Sequence, residues 1–423
     1  MEYHSVHDNV IEKTAEKVFA PVMYAYVSWV LEQAEKENIK RLYFLARDGY
    51  QMYLTARILC ANGAHPVDCR YLKCSRYALR VPAYHLQQEA CLDLICQGGI
   101  DVTLRKVLKR TGLEDAALEQ AAETMNLTDA LDQELSYQEV LGLKEKFAEN
   151  KKLMEMIYEH SRKAYGAAAG YLRQEGLLED ISFAVVDSGW IGTLQQTLQV
   201  ILRQEGYTGS VKGFYFGLYE IPEGADRSCY QAFYFMPFGQ KKRKVFFSNS
   251  LFECIFGAPE GMTVAYSEEC GRYVPIPEQK ENRNRVKIEQ TADAVCRYVK
   301  ELYDEKKIIS ADGVQKLLEG FMGHPSREEA EEFGKWKFTD DVLESAGQTV
   351  AANLNEKEIA KNHFVNKSLI MLGLKKGPVH ESAWLEGSIV RCGRHVARHL
   401  RQNRLYKYVL YTRKEIMEKK KQK

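Results

Sequence analysis

No C-x-x-C pair and no regular cysteine framework occur in this chain of 423 residues, whose ten cysteines are scattered singly. A disulfide scaffold is therefore not expected, and the thiols read as reduced. Cys69 and Cys74 lie on a strand-like segment with no C-x-x-C or H-x3-H group near them, so they are expected as small core residues and not as zinc ligands. Excess charge is missing too. The 59 Lys and Arg meet 58 Asp and Glu, which removes any global electrostatic reason to expect nucleic acid. The longest early apolar run, Val18 to Leu31, contains Pro21 and is short for a membrane span, so a buried helix is expected there. The start, Met1-Glu2-Tyr3-His4, lacks the basic stretch and apolar run of a secretion signal, and a cytoplasmic location follows as an expectation. Neither G-x-G-x-x-G nor G-x-x-x-x-G-K-S/T is present, which takes away the main evidence for a dinucleotide fold or a P-loop NTPase. Internal repeats are absent as well.

What is present alternates. Val10 to Asn38 has helical periodicity, with an interruption expected near Pro21, and Arg41 to Ala46 is a short aromatic and aliphatic run of the kind a buried strand makes. Gly49 precedes a helical Tyr50 to Asn62, and Val67 to Lys73 reads as a second strand. After a long polar helical stretch the pattern resumes with a strand at Ile181 to Val186 and an amphipathic helix at Thr193 to Gln204. Further strands are expected at Val211 to Tyr219, Tyr230 to Phe235 and Lys244 to Phe247, and helices from Arg283 onward. The fold class is therefore α/β, a mostly parallel sheet flanked by helices with an all-helical insertion and a helical C-terminal part. Residues 1–85 and 178–275 supply the two parts of the core, 86–177 the insertion or lid, and 276–423 the C-terminal region.

Two strand-loop-helix junctions carry the candidate chemistry. A helix entered through glycine offers unpaired amides and a positive dipole end to an anion. At the first junction, Arg47 and Gly49 suit pyrophosphate, while Asp48 suits it only through Mg2+ or as a helix cap pointing elsewhere. At the second, Asp187 ends the strand, Ser188, Gly189, Trp190 and Gly192 form the loop, and Thr193 caps the helix or donates its hydroxyl. A plain tight turn explains the same glycines. The basic segment Arg70 to Arg80, with Tyr71, Ser75, Arg76 and Arg80, is placed to overlook the same sheet edge. Glu253 stands in the apolar stretch Ser250 to Phe256, either as a working carboxylate or as the partner of one of these arginines.

Phe44-Leu45-Ala46-Arg47-Asp48-Gly49-Tyr50, Tyr71-Leu72-Lys73-Cys74-Ser75-Arg76 and Val186-Asp187-Ser188-Gly189-Trp190-Ile191-Gly192-Thr193 resemble, in this order, modules of bacterial surface-polysaccharide loci labelled HAD-superfamily hydrolase-like. The likeness runs from about Ala20 to Tyr266. HAD chemistry needs a second Asp two positions after the nucleophile, and Asp48-Gly49-Tyr50 and Asp187-Ser188-Gly189 lack it. The order of parts is more similar to a type I phosphoribosyltransferase-like core. That resemblance implies a pyrophosphate loop at Arg47, Asp48 and Gly49, a ribose-binding acid at Asp187 and a 5-phosphate loop from Ser188 to Thr193. It departs from the usual pair of adjacent acids, since Ser188 replaces one. The implied activity moves a phosphoribosyl group from phosphoribosyl pyrophosphate, or uses another sugar phosphate, with Mg2+ as cofactor. The implied acceptor is a glycan, lipid-linked or free, and a separate phosphatase is an implied partner. Asp187, Asp48 and Glu253 are the candidate catalytic residues. A HAD-like phosphatase and a non-catalytic glycan or sugar-phosphate binding module are the alternatives.

Charge is uneven at one end. Arg391 to Lys423 holds 12 Lys and Arg against Glu415 and Glu418. Basic residues recur there at helical intervals between Val396, Leu400, Leu405 and Tyr408. Such a helix suits peripheral contact with the inner face of the plasma membrane, or packing on the domain.

Overall fold

The computed structural model describes residues 9–63, 65–98, 102–338, 348–371 and 382–421. Five strands make one parallel sheet: β1 (Arg41–Leu45), β2 (Asp68–Leu72), β3 (Phe183–Trp190), β4 (Lys212–Leu218) and β5 (Tyr230–Phe235), ordered β2-β1-β3-β4-β5. Phe44 pairs with Tyr71 on one side and Val186 on the other.

Side chains alternate across a strand, and here both faces are dry, which is why β1 is apolar almost throughout. Leu42 and Phe44 of β1, with Val186 and Phe214, share one core with Val27 and Val30 of the Ala20–Lys36 helix and Val295 and Val299 of the Arg285–Asp304 helix. Tyr43 and Leu45 face the other way. They pack with Val185 against Leu172 of the Lys151–Gln174 helix and Leu198 and Ile201 of the Thr193–Gln204 helix. The result is a three-layer α/β/α core.

The helices from Cys91 to Glu149 close a core of their own around Leu92, Leu108, Leu118, Val140 and Phe147. The Lys151–Gln174 helix ties it to the sheet, because Leu153 and Ile157 belong to that core while Ala168 and Leu172 lie on the sheet. Beyond the sheet, an antiparallel hairpin of β6 (Thr263–Glu269) and β7 (Arg272–Pro277) turns through Cys270 and Gly271, both with positive φ. It lies on the long helix through stacked Tyr171 and Tyr266 rings, 4.6 Å apart.

The interruption expected near Pro21 is present as the π turn Ala15–Phe19, which lies directly before the proline and joins Val10–Thr14 to Ala20–Lys36. Two sequence expectations change. The Lys244–Phe247 strand is absent: Lys241–Val245 is helical, and Phe246 and Phe247 are buried for packing and not for sheet pairing. β3 does not stop at Val186 but pairs through Trp190, since Gly189 opposite Gly217 lets the backbones continue side by side.

Candidate functional site

The strand order turns on either side of β1. β1 leads to β2 in one direction, and β3 lies against its opposite edge, so the carboxyl ends of β1 and β3 open the crevice where such sheets bind ligands.

At the end of β1 the chain turns through Ala46 to Asp48 into the Gly49–Leu59 helix. A Cβ on Gly49 would lie 2.8 Å from the Phe44 carbonyl carbon, so the helix can start this close only with glycine. Asp48 occupies the cap position but makes no capping bond. It instead accepts the hydroxyl of Ser188 across the crevice, which sets aside the ordinary-cap reading. Arg47 is half-buried and makes no ion pair among the described residues.

At the end of β3, Gly189, Trp190 and Gly192 all have positive φ. Gly189 and Gly192 are required by packing: their missing Cβ atoms would stand 2.6 Å from the Gly217 carbonyl oxygen and 2.7 Å from the Tyr230 ring. The plain-turn reading therefore accounts for both. Thr193 does not cap its helix, because Gly192 holds that position; its Oγ1 accepts from Arg80 Nη2 at 2.9 Å. Trp190 carries its indole into a nest of Phe247 and Phe252 and donates from Nε1 to Glu253 Oε1 at 2.5 Å.

Arg80 stands apart. It is 8% exposed, it has no acidic partner among the described residues, and its Nε has no hydrogen-bond partner. Burial first, and then the neighbouring Arg76, lower its guanidinium titration to about 10. A buried cation is ordinarily matched by an anion. This one points at the first turn of the Thr193–Gln204 helix with none supplied among the described residues.

The carboxylates at the strand ends are shifted the other way. Burial, and after it the nearby Asp48, push Asp187 well above the ordinary carboxylate range, against the opposing effects of the Ser188 amide and Arg76. Glu253 is raised for the same two reasons, with Arg76, Trp190 and Arg47 opposing. The expected ion pair of Glu253 with an arginine is not formed: Trp190 is its hydrogen-bond partner, and Arg76 is exposed.

Not every expected site residue is free to meet a ligand. Ser75 caps the Arg76–Ala83 helix and donates to the Thr263 carbonyl at 2.6 Å, and Tyr71 donates to Glu260 at 3.0 Å. Two residues outside the expected set join the site. Tyr26, from the N-terminal helix, places its hydroxyl 3.0 Å from the Asp187 carbonyl oxygen and 2.9 Å from that of Phe214, and Gln97 Oε1 lies 3.5 Å from Arg80 Nη1. Neither has a sequence signal, since both act at long range.

Asp48, Asp187 and Glu253 do not bring three ligand atoms together as a closed cation cage; among the described residues that is done only by Glu356, His395 and His399. Mg2+ commonly uses one or two carboxylates with water and substrate phosphates, so Asp48 and Asp187 remain a fitting donor pair for it. No protein-family model and no curated protein matches the chain.

Proposed function

We propose that the crevice binds phosphoribosyl pyrophosphate and transfers its 5-phosphoribosyl group to a sugar hydroxyl in the making of a bacterial surface polysaccharide. The observation that carries this reading is Arg80, a buried cation without an acidic partner among the described residues, bonded to Thr193 in the first turn of a helix. Arg80 and the first turn of the Thr193–Gln204 helix take the 5-phosphate. Arg47 and the start of the Gly49–Leu59 helix take the pyrophosphate. Asp187 holds the ribose hydroxyls. Bound Mg2+ would supply charge neutralisation at the pyrophosphate and relieve the repulsion between Asp48 and Asp187.

The bond from C1 to pyrophosphate breaks, the acceptor oxygen bonds C1, and the acceptor proton passes to Glu253, whose carboxyl burial pushes up to about 7, toward the range that suits a general base. Positive charge developing on the sugar is met by Asp187.

Purified protein with phosphoribosyl pyrophosphate and Mg2+ is expected to release pyrophosphate, slowly to water and faster with an oligosaccharide acceptor, and Asp187→Asn is expected to abolish it without unfolding. Release of orthophosphate through an aspartyl phosphate would support a phosphatase instead. Affinity without either product would leave a binding module.

A further inference from the structure

Far from the crevice in sequence, the C-terminal helices bring imidazoles and a carboxylate together. Glu356 is the first residue of the Glu356–Lys361 helix, and His395 and His399 stand four residues apart where the Val396–Lys421 helix begins. One ligand atom from each of the three lies within 4.8 Å of the other two. His395 Nδ1 is 2.7 Å from Glu356 Oε1, and His399 Nε2 is 3.9 Å from that same oxygen.

His399 gives the independent sign of a ligand. It is 3% exposed, and its Nε2 has no hydrogen-bond partner. Its other ring nitrogen, Nδ1, lies 2.8 Å from Nε2 of His363. With the proton of His399 on Nδ1, donated to His363, Nε2 presents a bare lone pair toward a carboxylate oxygen. Two acceptors facing each other repel unless a cation stands between them. With the proton on Nε2 instead, 3.9 Å is too long for a hydrogen bond and the buried donor is orphaned. A metal ion on Nε2 removes the first conflict, and by displacing the Nε2 proton it removes the second.

We propose that Glu356, His395 and His399 bind a late first-row divalent ion, Zn2+ foremost, with His363 orienting His399 from behind. Two imidazoles and one carboxylate suit zinc and are a poor set for the hard cations Mg2+ and Ca2+. Ligand atoms about 2 Å from a tetrahedral ion stand roughly 3.3 Å apart, so the His395–Glu356 pair opens and the His399–Glu356 pair closes, each by about half an ångström. A histidine ligand whose second nitrogen is held by a hydrogen bond is the usual arrangement behind such an ion. Arg394 and Arg398 bring positive charge to the same turn, but both are exposed and solvent screens them. Three protein ligands leave a fourth position for water. The ion would fasten the start of the long C-terminal helix to the turn at Asn355, a structural task separate from the chemistry at β1 and β3.

The full chain is stripped with a chelator, returned to buffer and titrated with Zn2+, then with Co2+ as a coloured substitute. One equivalent of Zn2+ is expected to bind and raise the thermal midpoint. Co2+ is expected to give the visible bands of a four-coordinate nitrogen and oxygen site. His395→Ala removes an exposed ligand with little risk to the fold, checked by circular dichroism, and is expected to weaken binding at least tenfold. His363→Ala is expected to weaken it by roughly tenfold, the scale of a lost supporting hydrogen bond. The proposal is overturned by failure to bind Zn2+ saturably, by unchanged affinity in His395→Ala, or by a thiolate-to-cobalt band placing the ion on cysteine.

Discussion

Trp190 and Glu253, 63 positions apart in sequence, meet in a single hydrogen bond of 2.5 Å from the indole Nε1 to the carboxylate. β3 brings the indole and the Asn249–Phe256 helix brings the acid, so the bond couples the second loop to the group assigned as proton acceptor.

Trp190→Phe tests that coupling, because it keeps an aromatic ring, though a smaller one, among Phe247 and Phe252 and deletes the donor. The bond favours the ionised carboxylate, so losing it raises Glu253 further. The acid limb of the pH–rate profile is expected to move up by about one to two units, in line with a charge-assisted hydrogen bond of roughly 1.5–3 kcal/mol. A superimposable profile in the variant would remove Glu253 from the proton transfer.

Stability should also depend on pH, and the sign follows from the direction of the two shifts. Asp187 and Glu253 hold their protons more tightly folded than unfolded. Their contribution is fully present below the unfolded carboxylate range near pH 4 and is lost as pH rises through the neutral range. The ligand-free thermal midpoint is expected to fall from about pH 5 to about pH 8, each unit of displaced titration being worth about 1.4 kcal/mol. Asp187→Asn and Glu253→Gln should each flatten that fall. Parallel curves for wild type and both variants, measured by scanning calorimetry, would contradict it.

Arg80→Met separates binding from folding. The methionine fills much of the same buried space without a charge that lacks a partner, so the folded state is expected to be as stable as wild type or more so. Affinity for pyrophosphate or phosphoribosyl pyrophosphate is expected to drop by roughly 10- to 100-fold, the scale of a charge-assisted hydrogen bond. Calorimetric titration reads both ligands. Equal affinity would mean that Arg80 serves the fold.

The sheet was largely legible because its strands are short apolar runs ended by glycine or by a helix start, and Tyr230–Phe235 and Thr193–Gln204 fall where the pattern puts them. Lys241–Val245 was not, since a run ending in Val245-Phe246-Phe247 has the composition of a strand, and only packing makes it a helix. The acids were legible from their setting: Asp187 follows a strand pattern, and Glu253 stands alone among apolar residues. What made Arg80 informative was not, because a missing partner exists only in three dimensions. The H-x3-H spacing of His395 and His399 is written in the sequence, but Glu356 and His363 complete it from 30 or more positions away.

The C-terminal helix resolves the choice between packing and exposure by doing both on opposite faces. Inward, Asn403 and Lys407 reach Glu386 at 2.9 and 2.6 Å, Tyr411 stacks on Tyr219, Lys241 pairs with Glu415, and Arg227 reaches Glu418. Outward, Leu405, Val409 and Ile416 are 49%, 43% and 54% exposed and line one strip, with Arg401, Arg413 and Lys420 exposed beside it. No helix among the described residues is long and apolar enough to cross a membrane, but an apolar strip edged by cations suits the surface of an anionic one. Cutting the helix away would also strip the inner contacts, so deletion confounds the two roles. The double variant Val409→Asp/Ile416→Asp alters only the outer face. Wild type is expected to sediment with vesicles containing phosphatidylglycerol at low salt and to release them as salt rises. The double variant should bind at least tenfold more weakly with an unchanged thermal midpoint, since two buried aliphatic side chains contribute roughly 1.5–3 kcal/mol each. If wild type stays in the supernatant at low salt, the outer strip does not meet a membrane, and the helix serves only to pack.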